Sequence, residues 1–122
     1  MSAENPTLEI DELTIRFATE GEKSLITWHG TSEIEDPAAR IAGFLRSLIP
    51  KIENKRCRMD FRQLDYMNSA TLQPVLLILK EYNAAGIYTE IVYDPGVDWQ
   101  RIVFRSVAAI STTLEKISVV RG

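Results

Sequence analysis

The stretch DYMNSATLQPVLLILK, from Asp65 to Lys80, joins a short polar segment to a long apolar run. The apolar residues recur at helical spacing, so the run predicts a buried helix that begins at the join. Asn68, Ser69 and Thr71 lie at this join. Their side-chain oxygens are typical of helix caps, because they accept hydrogen bonds from the free N–H groups of a first turn. Alternatively, one of the two hydroxyls is a target for chemical modification.

Pro74 favours Thr71 as the cap of this helix. A proline has no backbone N–H, which costs nothing in the first turn of a helix but removes a hydrogen bond deeper inside it. With Thr71 as the cap, Pro74 lies in the first turn, whereas with Ser69 as the cap it lies one turn deeper. We therefore predict that Thr71 caps the helix and that Ser69 lies just upstream, on an exposed rim.

One leucine breaks the two-sided pattern of the predicted helix. The apolar arc of a helical wheel contains Leu72, Val75, Leu76, Ile78, Leu79 and Tyr82, and the opposite side contains Gln73, Lys80, Glu81 and Ala84. Leu77 falls among the polar residues. It is either an ordinary exposed leucine or an anchor for a partner protein.

The rest of the chain alternates between strand and helix patterns. Apolar alternation predicts strands around Leu13–Phe17, Leu25–Trp28, Cys57–Phe61, Ile87–Tyr93 and Ile117–Val120. Helical spacing from Ile41 to Ile52 predicts a first helix, with Asp36 as its cap and Pro37 as its first residue, and Pro50 predicts that its last turn ends or bends early. A third helix is predicted from the apolar stripe of Trp99, Ile102, Val103, Ser106, Val107 and Ile110. Gly86 is a stop signal for the second helix. This order predicts an α/β fold, a mixed β-sheet with an N-terminal hairpin and parallel crossovers covered by amphipathic helices, in one domain spanning residues 1–122.

Composition argues for an ordinary globular protein of the cytoplasm. The chain has 122 residues, 45% hydrophobic and 25% charged, and a net charge of -3. The basic run Lys51, Lys55, Arg56 and Arg58 is interrupted by apolar and acidic residues, so it indicates a helix end with a solvated loop and not a nucleic-acid footprint. A single cysteine and the lack of a signal-peptide pattern predict a cytoplasmic protein with no membrane partner.

Motifs of enzyme chemistry are missing from the sequence. It contains no glycine-rich phosphate loop with lysine, no HExxH and no GxSxG. We interpret His29 as structural or surface-exposed and Cys57 as a buried, inert thiol. Asp60 and Asp65 alone would form a weak magnesium site, so we expect no metal, no cofactor and no catalysis. Trp99 is either a helix-packing aromatic or an interface anchor.

The strand CRMDF and the segment YMNSATLQPVLLILKEY, in this order of elements, resemble the STAS domains of anti-sigma factor antagonists. In those domains a strand ends in an Asp-Ser-Ser-Gly-like turn that opens a helix. More narrowly, Tyr66-x-Asn68-Ser69 and the later segment IVYDPGVDWQRI resemble the SiaC family of regulatory phosphoproteins, which has an Asn before its phosphorylated residue.

The resemblance implies roles for individual residues at this site. Ser69 matches the phospho-acceptor, Asn68 takes the place of the usual STAS Asp, and Asp60 matches the acidic residue of the strand. Ala70 stands where a second hydroxyl residue is common and Thr71 where STAS domains usually have Gly, which makes Thr71 the second choice of acceptor. The implied partner-binding residues are Asn68, Ala70, Thr71, Gln73, Leu77, Asp60 and Asp65, and the two acidic residues would add to the negative charge of a phosphate.

The resemblance also implies three kinds of protein partner. They are a protein serine kinase of the histidine-kinase-like ATPase type, a metal-dependent PP2C-type phosphatase, and an effector bound chiefly in the unphosphorylated state. A rival hypothesis is a constitutive interaction or scaffold module of the same fold without the phospho-switch. A third is a protein that binds a small ligand near the strand ends.

Overall fold

A computed structural model describes residues 6–33 and 38–122 of the chain. Within these residues the strands are β1 (Thr7–Ile10), β2 (Leu13–Glu20), β3 (Lys23–Ser32), β4 (Arg56–Asp60), β5 (Leu64–Met67), β6 (Tyr88–Tyr93) and β7 (Ile117–Arg121). The helices are α1 (Ala38–Ser47), α2 (Ser69–Ala84) and α3 (Asp98–Ser111), and two short 3₁₀ turns, Ile49–Lys51 and Glu53–Lys55, lead into β4.

The strands form one mixed sheet in the order β1-β2-β3-β4-β6-β7. The first three strands are antiparallel neighbours, and the pairs β3–β4, β4–β6 and β6–β7 are parallel. The short strand β5 pairs in parallel with the end of β3, from Gly30 to Ser32. The predicted α/β fold, with its N-terminal hairpin and parallel crossovers, is confirmed, whereas β1 and β5 were not predicted.

Parallel crossovers decide where the helices lie. The strands β3, β4, β6 and β7 follow one another across the sheet, so right-handed connections place all three described helices on the same face. On that face Trp28 of β3 is fully buried and stacks on Phe61, with ring centroids 4.9 Å apart. Phe61 in turn packs on Phe104 of α3 at 4.8 Å. The hydrophobic core therefore lies between this face of the sheet and the helices that cover it.

The ends of the first two helices follow local sequence signals. The predicted cap Asp36 and first residue Pro37 of α1 lie outside the described residues. Helix α1 ends at Ser47, and Pro50 lies in the 3₁₀ turn that follows, which confirms the early end. Helix α2 stops at Gly86, whose φ is +80°. Hydrogen bonds from the N–H groups of Gly86 and Ile87 to the carbonyls of Asn83 and Tyr82 form a Schellman motif there.

The predicted stripe of α3 was correct only in part, because Val107 is buried and Trp99 and Val103 pack against the core, whereas the other predicted members are exposed. The buried residues are Gln100, Phe104, Val107 and Ser111. Ile102 is 64% exposed, and Ile110 and Ser106 are also exposed. The predicted stripe was based on the spacing of mainly apolar residues, so it did not include Gln100. This polar residue is fully buried, and its side chain forms hydrogen bonds with three backbone groups.

Two further observations concern charge and membranes. The basic run was predicted to be a helix end with a solvated loop, but Arg56 and Arg58 belong to β4, and Arg58 lies within the strand that was predicted around Cys57–Phe61. The Arg58 guanidinium forms a salt bridge of 2.8 Å with Glu90, its cross-strand neighbour on β6. Among the described residues no helix is both long and apolar enough to span a bilayer.

Candidate functional site

Helix α2 begins at Ser69, and its cap is Asn68. The Asn68 backbone is extended (φ -80°, ψ 171°), and its side-chain oxygen accepts a hydrogen bond of 2.9 Å from the N–H of Thr71. The prediction that Thr71 caps the helix is therefore wrong. Pro74 is the sixth residue of the helix, so the carbonyl of Ala70 lacks its usual intrahelical partner. The asparagine cap and the burial of Pro74 in the core offset that loss.

Thr71 anchors the first turn of α2 to the end of β3. Its hydroxyl donates to the Asn68 Oδ1 atom at 2.7 Å and shares a hydrogen bond of 2.5 Å with the Ser32 hydroxyl. The Asn68 N–H also donates to the Ser32 carbonyl at 2.9 Å. Thr71 and Ser32 are both 0% exposed. This burial argues against Thr71 as a second phospho-acceptor and against its direct contact with a partner.

Ser69 lies on the open side of the same turn. Its side chain is exposed, as predicted, and forms no hydrogen bond with any described residue. Gln73 and Leu77 follow at intervals of four residues, so they share its helix face, and both are exposed. Leu77 is 47% exposed, a large fraction for a leucine. We call Ser69, Gln73 and Leu77 the α2 stripe; Ala70, beside it, is half-buried.

A shallow groove of about 270 Å³ lies beside Ser69, between the start of α2 and α3. Its lining consists of Tyr66, Met67, Asn68, Ser69, Leu72, Trp99, Ile102 and Val103, none of which is charged. The rings of Tyr66 and Trp99 meet edge to face, with centroids 5.9 Å apart. Trp99 also packs near Phe104, so it belongs to the helix packing and to the groove wall at once. Tyr66 belongs to the motif Tyr66-x-Asn68-Ser69 but was not among the predicted partner-binding residues, and Ile102 was predicted to lie on the buried side of α3.

The two acidic residues proposed for this site have different environments. The carboxylate of Asp60 accepts hydrogen bonds from the Arg62 N–H at 3.0 Å and from its guanidinium at 3.1 and 2.8 Å. Burial by itself would raise the pKa of Asp60, but the bonds from Arg62 and the charges of Arg62 and Arg58 together lower it. Asp65 is exposed on β5 and has no ion pair with a described residue. Neither carboxylate lines the groove.

The remaining candidate residues lie away from the groove. Cys57 is buried in β4, and burial raises the pKa of its thiol to about 12, which keeps the thiol protonated and inert. His29 is half-buried on β3. Across residues 6–33 and 38–122, no three His, Cys, Asp or Glu side chains gather as a metal site would require.

Comparison with known proteins gives similarity in structure and none in sequence. No protein-family model and no curated protein sequence matches the chain. An anti-sigma factor antagonist from Mycobacterium paratuberculosis superposes with a TM-score of 0.63 at 10% identity, covering 91% of this chain and 90% of that one. The anti-sigma factor antagonist SpoIIAA in its unphosphorylated form superposes with a TM-score of 0.56 at 17% identity, covering 87% of each chain.

This chain has the fold of the anti-sigma factor antagonists. The coverage of about nine-tenths on both sides means that the whole antagonist fold is shared and not one βαβ unit. In this antagonist fold the parallel strands β3 and β4 end near the start of α2, because β5 pairs with the last residues of β3 and leads directly into Asn68. Ser69 and the groove beside it therefore lie at the end of the sheet where β3 ends, and the α2 stripe extends from there along the helix.

Proposed function

We propose that this protein is the phosphorylated switch component of a partner-switching system. A protein serine kinase of the histidine-kinase-like ATPase type phosphorylates Ser69, and a PP2C-type phosphatase removes the phosphate. An effector protein binds the unphosphorylated form through the α2 stripe and the adjoining groove. The chain itself catalyses nothing. The observation that supports this most is an exposed serine hydroxyl at the first residue of α2, in a chain with an antagonist fold.

The start of α2 tolerates a phosphate without loss of the fold. The positive end of the helix dipole and the free N–H groups of the first turn favour an added anion. The anchoring bonds of Asn68 and Thr71 do not involve the Ser69 side chain, so modification leaves them in place. The structural neighbour SpoIIAA was described in its unphosphorylated form, and this supports a role for phosphorylation in the present chain.

The same phosphate would disturb any partner that packs into the groove. Phosphorylation adds about -1.5 to -2 charges, and no lining residue of the groove carries a positive charge to neutralise them. An effector with an apolar anchor in the groove would have to desolvate the phosphate. A tenfold loss of affinity requires only about 1.4 kcal/mol, which such desolvation exceeds readily.

The first test is phosphorylation in vitro. The protein is incubated with ATP and a candidate kinase, for example a histidine-kinase-like ATPase encoded beside it, and the modified residue is mapped by mass spectrometry. We expect one phosphate on Ser69 and none on Ser69→Ala. Ser106→Ala, which changes another exposed serine, is the matched control and should be modified like the native protein. Full labelling of Ser69→Ala would refute the assignment.

The second test separates the switch from a constitutive scaffold. Both hypotheses use the same exposed stripe, and the exposure of Leu77 is compatible with either. Once an effector is known, its affinity is compared between Ser69→Ala, Ser69→Asp and the phosphorylated protein. A phosphoserine carries more charge than an aspartate, so the phosphorylated sample decides. Affinity at least about tenfold weaker supports the switch, and equal affinity supports the scaffold.

A further inference from the structure

A second cleft lies at the opposite end of the parallel strands from Ser69. It has a volume of about 350 Å³ and is lined by the first residues of β3, β4, β6 and β7. The charged residues of its lining are Lys23, Arg56, Arg58, Lys116, Glu90 and Glu115. Cavities of about this size hold small molecules in many proteins.

The charge of this cleft is opposite to that of the protein. Its lining contains four basic and two acidic residues, although the whole chain has a net charge of -3. The salt bridge between Arg58 and Glu90 neutralises one residue of each kind. Lys23, Arg56, Lys116 and the acidic residue Glu115 remain, and none of these four has an ion pair with a described residue, so the lining keeps a net charge of +2. A cleft with a net positive charge on an acidic protein provides a favourable field for an anion.

The residues around these cations favour a phosphorylated anion. The exposed guanidinium of Arg56 has the fork geometry that binds phosphate oxygens in pairs, and the ammonium groups of Lys23 and Lys116 act as point charges. Ser118 is exposed at the rim and offers a hydroxyl donor. The Lys116 Nζ atom lies 5.0 Å from the centroid of the Tyr88 ring, which is 58% exposed.

We propose that this cleft binds a small anion with two or more phosphate charges. A single negative charge would leave part of the net positive charge of the cleft unneutralised, whereas a diphosphate group carries enough negative charge to neutralise it. The cleft and the start of α2 lie at opposite ends of the strands, so this binding does not compete with contact at the α2 stripe. The proposal is independent of Ser69 phosphorylation.

Titration calorimetry with pyrophosphate at low ionic strength tests the site. We expect saturable binding with one site per chain by the native protein. The variant Arg56→Gln with Lys116→Gln should bind about tenfold more weakly or worse, because two charge-assisted contacts are lost. The matched control, Lys51→Gln with Arg105→Gln, removes two exposed cations outside the cleft and should bind within about twofold of the native protein.

Further control measurements distinguish a phosphate site from a general charge effect. Citrate matches the charge of pyrophosphate without its phosphate groups, and citrate binding of equal strength would refute a phosphate site. Equal weakening in the two double variants would show a general charge effect and would also refute it, as would the absence of binding by the native protein. Ser69→Ala should bind pyrophosphate normally, so failure here and failure of the phospho-switch are distinguishable.

Discussion

At the residue scale, Asn68, Ser69 and Thr71 share one helix turn but meet three different environments. Asn68 caps the turn and Thr71 ties it to the buried hydroxyl of Ser32. Ser69 is left exposed, with its side chain free of both tasks. The capping hypothesis and the modification hypothesis are therefore compatible, because different residues of the same turn carry the two roles. The rigid neighbours hold the proposed acceptor in a fixed position.

We expect Thr71→Val to destabilise the protein by about 1–3 kcal/mol. Valine has nearly the shape of threonine but no hydroxyl, so the buried hydroxyl of Ser32 loses the partner that lies 2.5 Å away. Urea unfolding measures the difference. Thr19→Val, on an exposed site of β2, is the matched control and should change stability by less than about 0.5 kcal/mol. Equal effects of the two substitutions would contradict the anchoring role of Thr71.

Asp60 should make stability depend on pH in the acid range. Its pKa in the folded protein lies below the ordinary value of 3.8, as the bonds and charge of Arg62 outweigh the effect of burial. A carboxyl group whose pKa is lowered by folding stabilises the folded state. This stabilisation is complete when the pH lies above the ordinary pKa, and it is lost as the pH falls through the lowered pKa. The native protein should therefore be more stable than Asp60→Asn at about pH 6, and the difference should shrink toward about pH 3.

Urea unfolding of both proteins at several pH values measures that difference. Arg62→Gln removes the guanidinium that donates to Asp60 and keeps the backbone N–H donor, so in this background the stability difference between Asp and Asn at position 60 should be smaller. A difference that stays constant from neutral to acid pH would show that Asp60 gains nothing from its ion pair.

At the element scale, the two ends of α2 were predictable to different degrees. Gly86 marks the C-terminal end because only glycine adopts a φ of +80° without strain, a property readable from one residue. The position of the N-terminal end depends on whether the free-energy cost of Pro74 inside the helix exceeds the stabilisation from the Asn68 cap. That balance includes the burial of Pro74 and the contact with Ser32, which is distant in sequence. A local rule about proline was therefore insufficient.

Two glycine substitutions should have opposite effects on stability. We expect Gly86→Ala to destabilise by about 1 kcal/mol or more, because alanine is strained at positive φ. An added Cβ there meets only the Lys55 side chain at an ordinary 3.8 Å, so the backbone supplies the cost. Gly43→Ala, in the exposed middle of α1 with no atom within 4 Å of the new Cβ, should stabilise by about 0.5–1 kcal/mol. Thermal unfolding measures both, and shifts of the same sign would contradict this account.

For the molecule as a whole, the sequence predicts the sheet more completely than it predicts the candidate site. Alternation and helical spacing are local patterns, so they identified the long strands and the parallel crossovers. Strand β5 was not predicted because only Leu64 and Met67 are buried and two exposed residues separate them, so the strand shows no apolar alternation. The groove was not predicted because its walls come from residues that are distant in the sequence. Tyr66 of β5 and Trp99 of α3 are 33 residues apart in the sequence, and only the tertiary fold brings their ring centroids within 5.9 Å.

The buried thiol of Cys57 should report on the opening of the whole fold. With a pKa of about 12 and 3% exposure, it should resist alkylation in the folded protein and react when the core opens. If the core reseals faster than the reagent reacts, the alkylation rate follows the population of open molecules. A destabilisation of about 1 kcal/mol raises that population about fivefold. Gly86→Ala should therefore speed iodoacetamide labelling about fivefold, and Gly43→Ala should slow it. Labelling at one rate in all three proteins would mean that β4 opens locally, without unfolding of the two helices that carry these glycine positions.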